Sequence, residues 1–103
     1  MVVADESMRP TLRPGDRLLL DPRAYRSAPP RVGDVVVLVD PAARERWLIK
    51  RVAAYDPATE LVDVRGDAGE RARDSRRFGP VPRRALVGRA YRLYFPPDRR
   101  REL

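Results

Sequence analysis

The sequence predicts a mostly β domain of short antiparallel strands joined by long irregular loops, and three observations carry that prediction. Eleven prolines and six glycines interrupt the chain at short intervals and leave little room for a long helix. The segments between them are β-branched or aliphatic runs of strand length. The longest apolar run, Val35 to Val39, has the size of a buried strand and falls far short of the ~18 residues of a membrane span.

Taken in order, Arg17 to Asp21 reads as a strand between Pro14-Gly15 and Pro22. Pro22 to Arg31 holds three prolines and reads as a loop. Asp34 to Asp40 is a strand after the turn signal Val32-Gly33, and Arg46 to Tyr55 is a longer one ended by Asp56-Pro57. Glu60 to Arg65 is a strand ended by Gly66-Asp67. Gly66 to Pro82 is charged and rich in turn residues, and a loop of that length inside a small domain tends to be functional. Ala85 to Phe95 is the last strand, closed by Pro96-Pro97. A chain of 103 residues suits one domain, expected over 1–95, with 96–103 as a flexible basic tail.

Composition removes whole classes of chemistry. Without Cys there are no disulfides or thiolate sites, and without His the usual general base and the usual metal ligand are both missing. Neither a metal nor a cofactor is expected, and nucleophilic chemistry must run on Ser, Thr, Lys or carboxylates. The net charge of +7 suggests an acidic partner, but the Arg residues are scattered and only 7% of residues are aromatic, so nucleic acid is not the expected partner. The first residues, Met1 to Ser7, are too short and too acidic for a secretory signal, so stable membrane insertion is not expected and the expected location is the cytoplasm.

The charge count also singles out one residue. Of 22 basic residues, Lys50 is the only lysine. Where Arg has replaced Lys almost everywhere, a surviving Lys marks a place that Arg cannot fill, because Arg does not lose its proton and a desolvated Lys can. On a strand, Lys50 shares a face with Leu48 and Val52, while Arg51 points the other way with Trp47 and Ile49. An amine on an apolar face is pushed toward its neutral form, and a neutral amine beside a serine hydroxyl can take its proton. Ser7 stands just ahead of a segment stiffened by Pro10 and Pro14.

Four segments in order resemble the type I signal peptidases and their relatives, over the stretch from Ser7 to about Val87. Ser7-Met8-Arg9-Pro10-Thr11-Leu12 is similar to the nucleophile box of that family, Ser-Met-x-Pro-Thr-Leu. Gly33-Asp34-Val35-Val36-Val37-Leu38 resembles its Gly-Asp strand, and Ile49-Lys50-Arg51-Val52 its general-base box. Gly66-Asp67 and Asp74-Ser75-Arg76-Arg77-Phe78-Gly79-Pro80-Val81 resemble its last box. The resemblance implies a compact signal-peptidase/LexA-like antiparallel β-fold and a serine endopeptidase. It implies Ser7 as nucleophile, Lys50 as general base and the Ser7 backbone N–H in the oxyanion hole. Met8, Pro10, Asp74, Ser75 and Arg76 take supporting roles, with Asp74 and Arg76 as an ion pair on one face of an extended segment. The implied partner is a protein precursor bound as an added strand.

Three positions depart from the family pattern. Asp5 replaces the small or hydroxyl residue two before the nucleophile, and an ionised carboxylate there would repel an oxyanion. Asp5 is therefore expected to point away or to carry a proton. Ala72 stands where bacterial members often have a Ser that orients the lysine, so Lys50 is expected to need another orienting group, and Ala68 replaces an Asn. The start so close to the nucleophile box fits the anchorless members that mature nickel-type superoxide dismutase by removing a short propeptide. Two alternatives stay open: a LexA-like self-cleaving domain, and a non-catalytic binding module on the same fold, which Asp5 and Ala72 favour.

Overall fold

Val35–Val39 lies at the centre of the computed structural model, which describes residues 1–103. It belongs to β2 (Val35–Asp40), whose side chains are buried on both faces. Val35 and Val37 enter one core with Met8, Leu12, Leu18, Ile49, Ala90 and Leu93, and Val36 and Leu38 enter a second with Leu48, Val52, Val62, Val64 and Val81. A strand that serves two cores has no polar face, hence the unbroken apolar run.

Around β2 the chain builds a seven-stranded antiparallel sheet from β1 (Arg17–Asp21), β3 (Ala43–Asp56), β4 (Leu61–Arg65), β5 (Val81–Pro82), β6 (Leu86–Phe95) and β7 (Arg101–Glu102), in the order β1-β6-β2-β3-β4-β5, with β7 on β6. The mostly β antiparallel fold is as the sequence predicts, and the five expected strands fall within three residues of their predicted bounds. β3 starts earlier because Ala43 pairs with Asp40 across a bulge. β4 pairs with β3 only from Arg51 onward. The edge of β3 from Ala43 to Lys50 that faces away from β2 therefore has no strand partner. No helix is long and apolar enough to cross a membrane.

Two loops carry more order than the sequence predicts. Residues 66–82 contain a 3-10 turn at Gly69–Arg71, one helical turn α1 (Ser75–Phe78) and β5. The expected flexible tail instead folds back: after a 3-10 turn at Pro97–Arg99, β7 pairs with β6 through Arg101 and Glu102. The Arg99 guanidinium reaches the buried Asp16 carboxylate at 2.7 Å, and Arg101 donates to the Thr11 carbonyl. Two of the three arginines that suggested a solvated tail, Arg99 and Arg101, are thus spent on an anion and a carbonyl of the domain.

Candidate active site

Ser7 sits on a turn that Met8 and Leu12 nail to the first core, both of them buried. The Arg9 N–H donates to the Glu6 carbonyl at 3.1 Å and the Leu12 N–H to the Met8 carbonyl at 2.9 Å, so the chain coils tightly around the serine. From β3, Lys50 projects toward the same point. Its side chain is 1% exposed, more buried than the leucine two positions before it. The Lys50 Nζ lies 2.8 Å from the Ser7 Oγ, a hydrogen bond across 43 residues of sequence. Burial pushes the Lys50 amine below its ordinary value of 10.5, against the charges of Asp5 and Asp74, which favour the protonated form. An amine and a hydroxyl in contact, with the amine's charge disfavoured, are placed to exchange a proton.

The turn at Gly66 completes the site. The Ser7 carbonyl accepts the Ala68 N–H at 2.9 Å. A Cβ on Gly66 would lie 2.5 Å from the Ser7 carbonyl oxygen and 2.5 Å from the Ala72 Cβ, so only glycine permits this approach. Asp74, fully buried, holds the turn from behind. Its carboxylate accepts the Gly66 N–H at 2.9 Å, the Arg76 N–H at 3.0 Å and the Arg76 guanidinium at 2.6 Å. Burial works against its charge, but these donors prevail and hold its pKa at about 2. Ser75 donates nothing here; its Oγ accepts the Val64 N–H at 2.9 Å and ties the segment to β4. Asp74 and Arg76 do pair, though not along an extended segment: Asp74 caps α1 and Arg76 lies in its first turn.

Asp5 neither points away nor carries a proton. Its Oδ1 accepts the Ser7 backbone N–H at 2.9 Å. Burial raises its pKa, but the hydrogen bonds from Ser7 and the charge of Lys50 outweigh it and keep the carboxyl ionised. The reason is geometric: a carboxylate two residues before an N–H closes a short ring onto it. At Ala72 no hydroxyl replaces the missing serine. The Ser7 Oγ is the one hydrogen-bond partner of the Lys50 amine, and close packing of its stem supplies the remaining orientation.

One network was not foreseen from sequence. Asp67 accepts from the Arg51 guanidinium at 2.9 and 2.8 Å and from the Thr11 hydroxyl at 2.5 Å, while Arg51 also donates to the Gly33 carbonyl at 2.8 Å. It joins one residue from each of the four boxes. Lys50 and Arg51 thus divide by strand parity, the amine to Ser7 and the guanidinium to this brace. The signal lay in the boxes themselves, where Thr11, Arg51 and Asp67 are polar residues with complementary hydrogen-bonding groups.

A model of the family described as signal peptidase, peptidase S26 matches residues 1–59, which holds both Ser7 and Lys50. The chain belongs to the signal peptidase S26 family. It is therefore a serine peptidase by family, on a signal-peptidase-like β-fold. A probable signal peptidase I-1 from Synechocystis is 27% identical over 94% of this chain and 71% of its own length. A mitochondrial ATP-independent inner membrane protease subunit 1b from Arabidopsis thaliana is 33% identical over 87% of this chain and 66% of its own. A signal peptidase I from Leptolyngbya laminosa is 28% identical over 98% and 70%.

Proposed function

We propose that this S26 peptidase works through a Ser7–Lys50 dyad and removes a short N-terminal propeptide or leader from a protein precursor. The observation that carries the reading is the 2.8 Å contact between the Ser7 Oγ and a buried Lys50 amine whose charge is disfavoured. In the first step the Ser7 Oγ attacks the scissile carbonyl carbon while Lys50 takes the hydroxyl proton. The tetrahedral intermediate collapses, Lys50 returns that proton to the departing amine, and an acyl-Ser7 ester remains. A water, deprotonated by Lys50, then hydrolyses the ester and restores both groups. The Ser7 N–H is the proposed donor to the oxyanion, so the Asp5 carboxylate has to leave it when substrate binds. The precursor would lie extended along the open edge of β3, adding a strand beside Lys50.

The nickel-type superoxide dismutase precursor is the specific substrate we propose, by analogy with the maturation proteases of that enzyme among the signal-peptidase relatives. The test is purified protein mixed with that precursor, with the new N-terminus read by mass spectrometry. Ser7→Ala and Lys50→Arg should each abolish processing while circular dichroism stays unchanged. Processing by either variant would sink the dyad. Asp5 on the Ser7 amide favours a second reading, a binding module without turnover, and a precursor that binds wild type but is never cut would support it.

A further inference from the structure

The acidic groups that line the cleft are all spent inside the protein, whereas of its guanidiniums Arg71 has no partner and Arg46 has only a loose, shared one. Asp5 holds the Ser7 N–H, Glu6 pairs with Arg9, and Asp67 is taken by Arg51 and Thr11. Among the cations, Arg9 is held by Glu6 and Arg73 by Asp40. Arg71, exposed on the 3-10 turn at one wall, forms no hydrogen bond or ion pair through its side chain. Arg46, from β3, is 70% exposed and stands 3.7 Å from Asp40, both of whose oxygens already accept from Arg73. The cleft thus presents uncompensated positive charge beside an unpaired strand edge.

Strand geometry places that charge relative to the chemistry. Arg46, Leu48 and Lys50 alternate onto one face of β3. At ~3.3 Å per residue, Arg46 lies about 13 Å along the strand from Lys50. A peptide paired to this edge would bring a side chain about three to four residues from its reacting bond up to Arg46, in the cleft that Arg71 also lines.

We propose that the cleft selects acidic peptides, and that Arg46 and Arg71 set this preference by binding an Asp or Glu about three to four residues from the scissile bond. The proposal rests on the protease reading of the same cleft. A peptide is the occupant the site fits, because the unpaired N–H and C=O groups of β3 match an extended backbone and Trp47 is the only aromatic on the cleft wall. Exposed ion pairs are individually weak, so two of them should yield about a 5- to 10-fold preference in kcat/KM, reduced by salt.

The experiment exposes purified protein to a mixture of random synthetic peptides and reads the cut bonds by mass spectrometry. Asp and Glu should be enriched at that distance from the cut. Matched fluorogenic peptides carrying Glu, Gln or Lys there should be cleaved in that order of kcat/KM. Arg46→Gln with Arg71→Gln should flatten the order, and Arg46→Glu with Arg71→Glu should reverse it. Equal rates for the three peptides, or a preference that survives charge reversal, would overturn the proposal. A second arm measures binding of the same peptides to Ser7→Ala by fluorescence anisotropy. If wild type cuts nothing yet Ser7→Ala binds the Glu peptide most tightly, the protease reading falls and the charge preference stands. If wild type cuts all three peptides equally, the protease reading stands and the charge preference falls.

Discussion

The Asp5 carboxylate accepts the Ser7 backbone N–H at 2.9 Å, and so occupies the donor that an oxyanion at Ser7 would need. A single donor of this kind is worth ~100-fold or more in rate, and a carboxylate that has to be displaced from it forfeits part of that. Asp5→Ser and Asp5→Gly should therefore raise kcat/KM toward peptides about 10-fold. Asp5→Asn should raise it less, since an amide oxygen still accepts the same N–H. Unchanged or lower rates in all three would mean the carboxylate is no obstacle.

Lys50 should reveal itself in both activity and stability. Burial lowers its pKa from 10.5, so kcat/KM should climb with pH along a limb whose midpoint lies below that value. A lysine whose pKa is lowered by folding costs stability at any pH below its ordinary value, because the buried site disfavours the charged form. Lys50→Met should thus be inactive yet melt higher near neutral pH, with the gain shrinking as pH rises toward 10.5. A melting curve no higher than wild type would contradict the desolvated amine.

Gly66 is the position least able to change. Its added Cβ would meet the Ser7 carbonyl oxygen and the Ala72 Cβ, each at 2.5 Å. Gly66→Ala should cost ~1–3 kcal/mol in urea unfolding and, by shifting Ser7, about 100-fold in kcat. Wild-type activity in Gly66→Ala would show that the turn yields without moving the serine.

Asp74 governs the acid limit. Its folded pKa of about 2 lies below the ordinary 3.8, so its contribution is fully present above pH 4 and is lost as pH falls toward 2. That contribution is about 2 kcal/mol. Asp40 and Asp67, also lowered, act in the same direction. Asp74→Asn should lower stability at pH 7 and make the decline from pH 4 to 2 shallower, as followed by urea titration at each pH.

The folded-back C-terminal segment has its own test. Asp16 is 3% exposed and faces Arg99. Removing one partner of a buried pair costs ~3–5 kcal/mol, and Asp16 keeps the Arg13 N–H, so Arg99→Ala should fall at the lower end. A change under 0.5 kcal/mol would show that 96–103 frays after all.

What the sequence made legible follows from how local each signal is. Strand period and turn residues mark β1 to β4 and β6 because both are written over a few neighbours. The lone Lys50 was legible for a chemical reason, its contrast with Arg. The order in 66–82 was not, because it depends on distant partners: Asp74 closing on Gly66, Ser75 on Val64, Ala68 on Ser7. Asp5 was singled out correctly but its direction was not, since sequence alone does not say whether a short carboxylate turns toward its own backbone. The 96–103 segment was misread because its arginines look solvated until Asp16 and the Thr11 carbonyl are known to face them.

The open border of β3 carries a cost that has nothing to do with catalysis. A row of unsatisfied backbone groups invites any extended chain, including a second copy of this one, and so risks uncontrolled stacking. Arg44, Glu45 and Arg46 stand consecutively along that border, all exposed. Such residues act as gatekeepers, since two like-patterned borders meeting antiparallel would crowd guanidiniums together. Neutralising all three should leave each molecule folded but turn a clear concentrated solution cloudy.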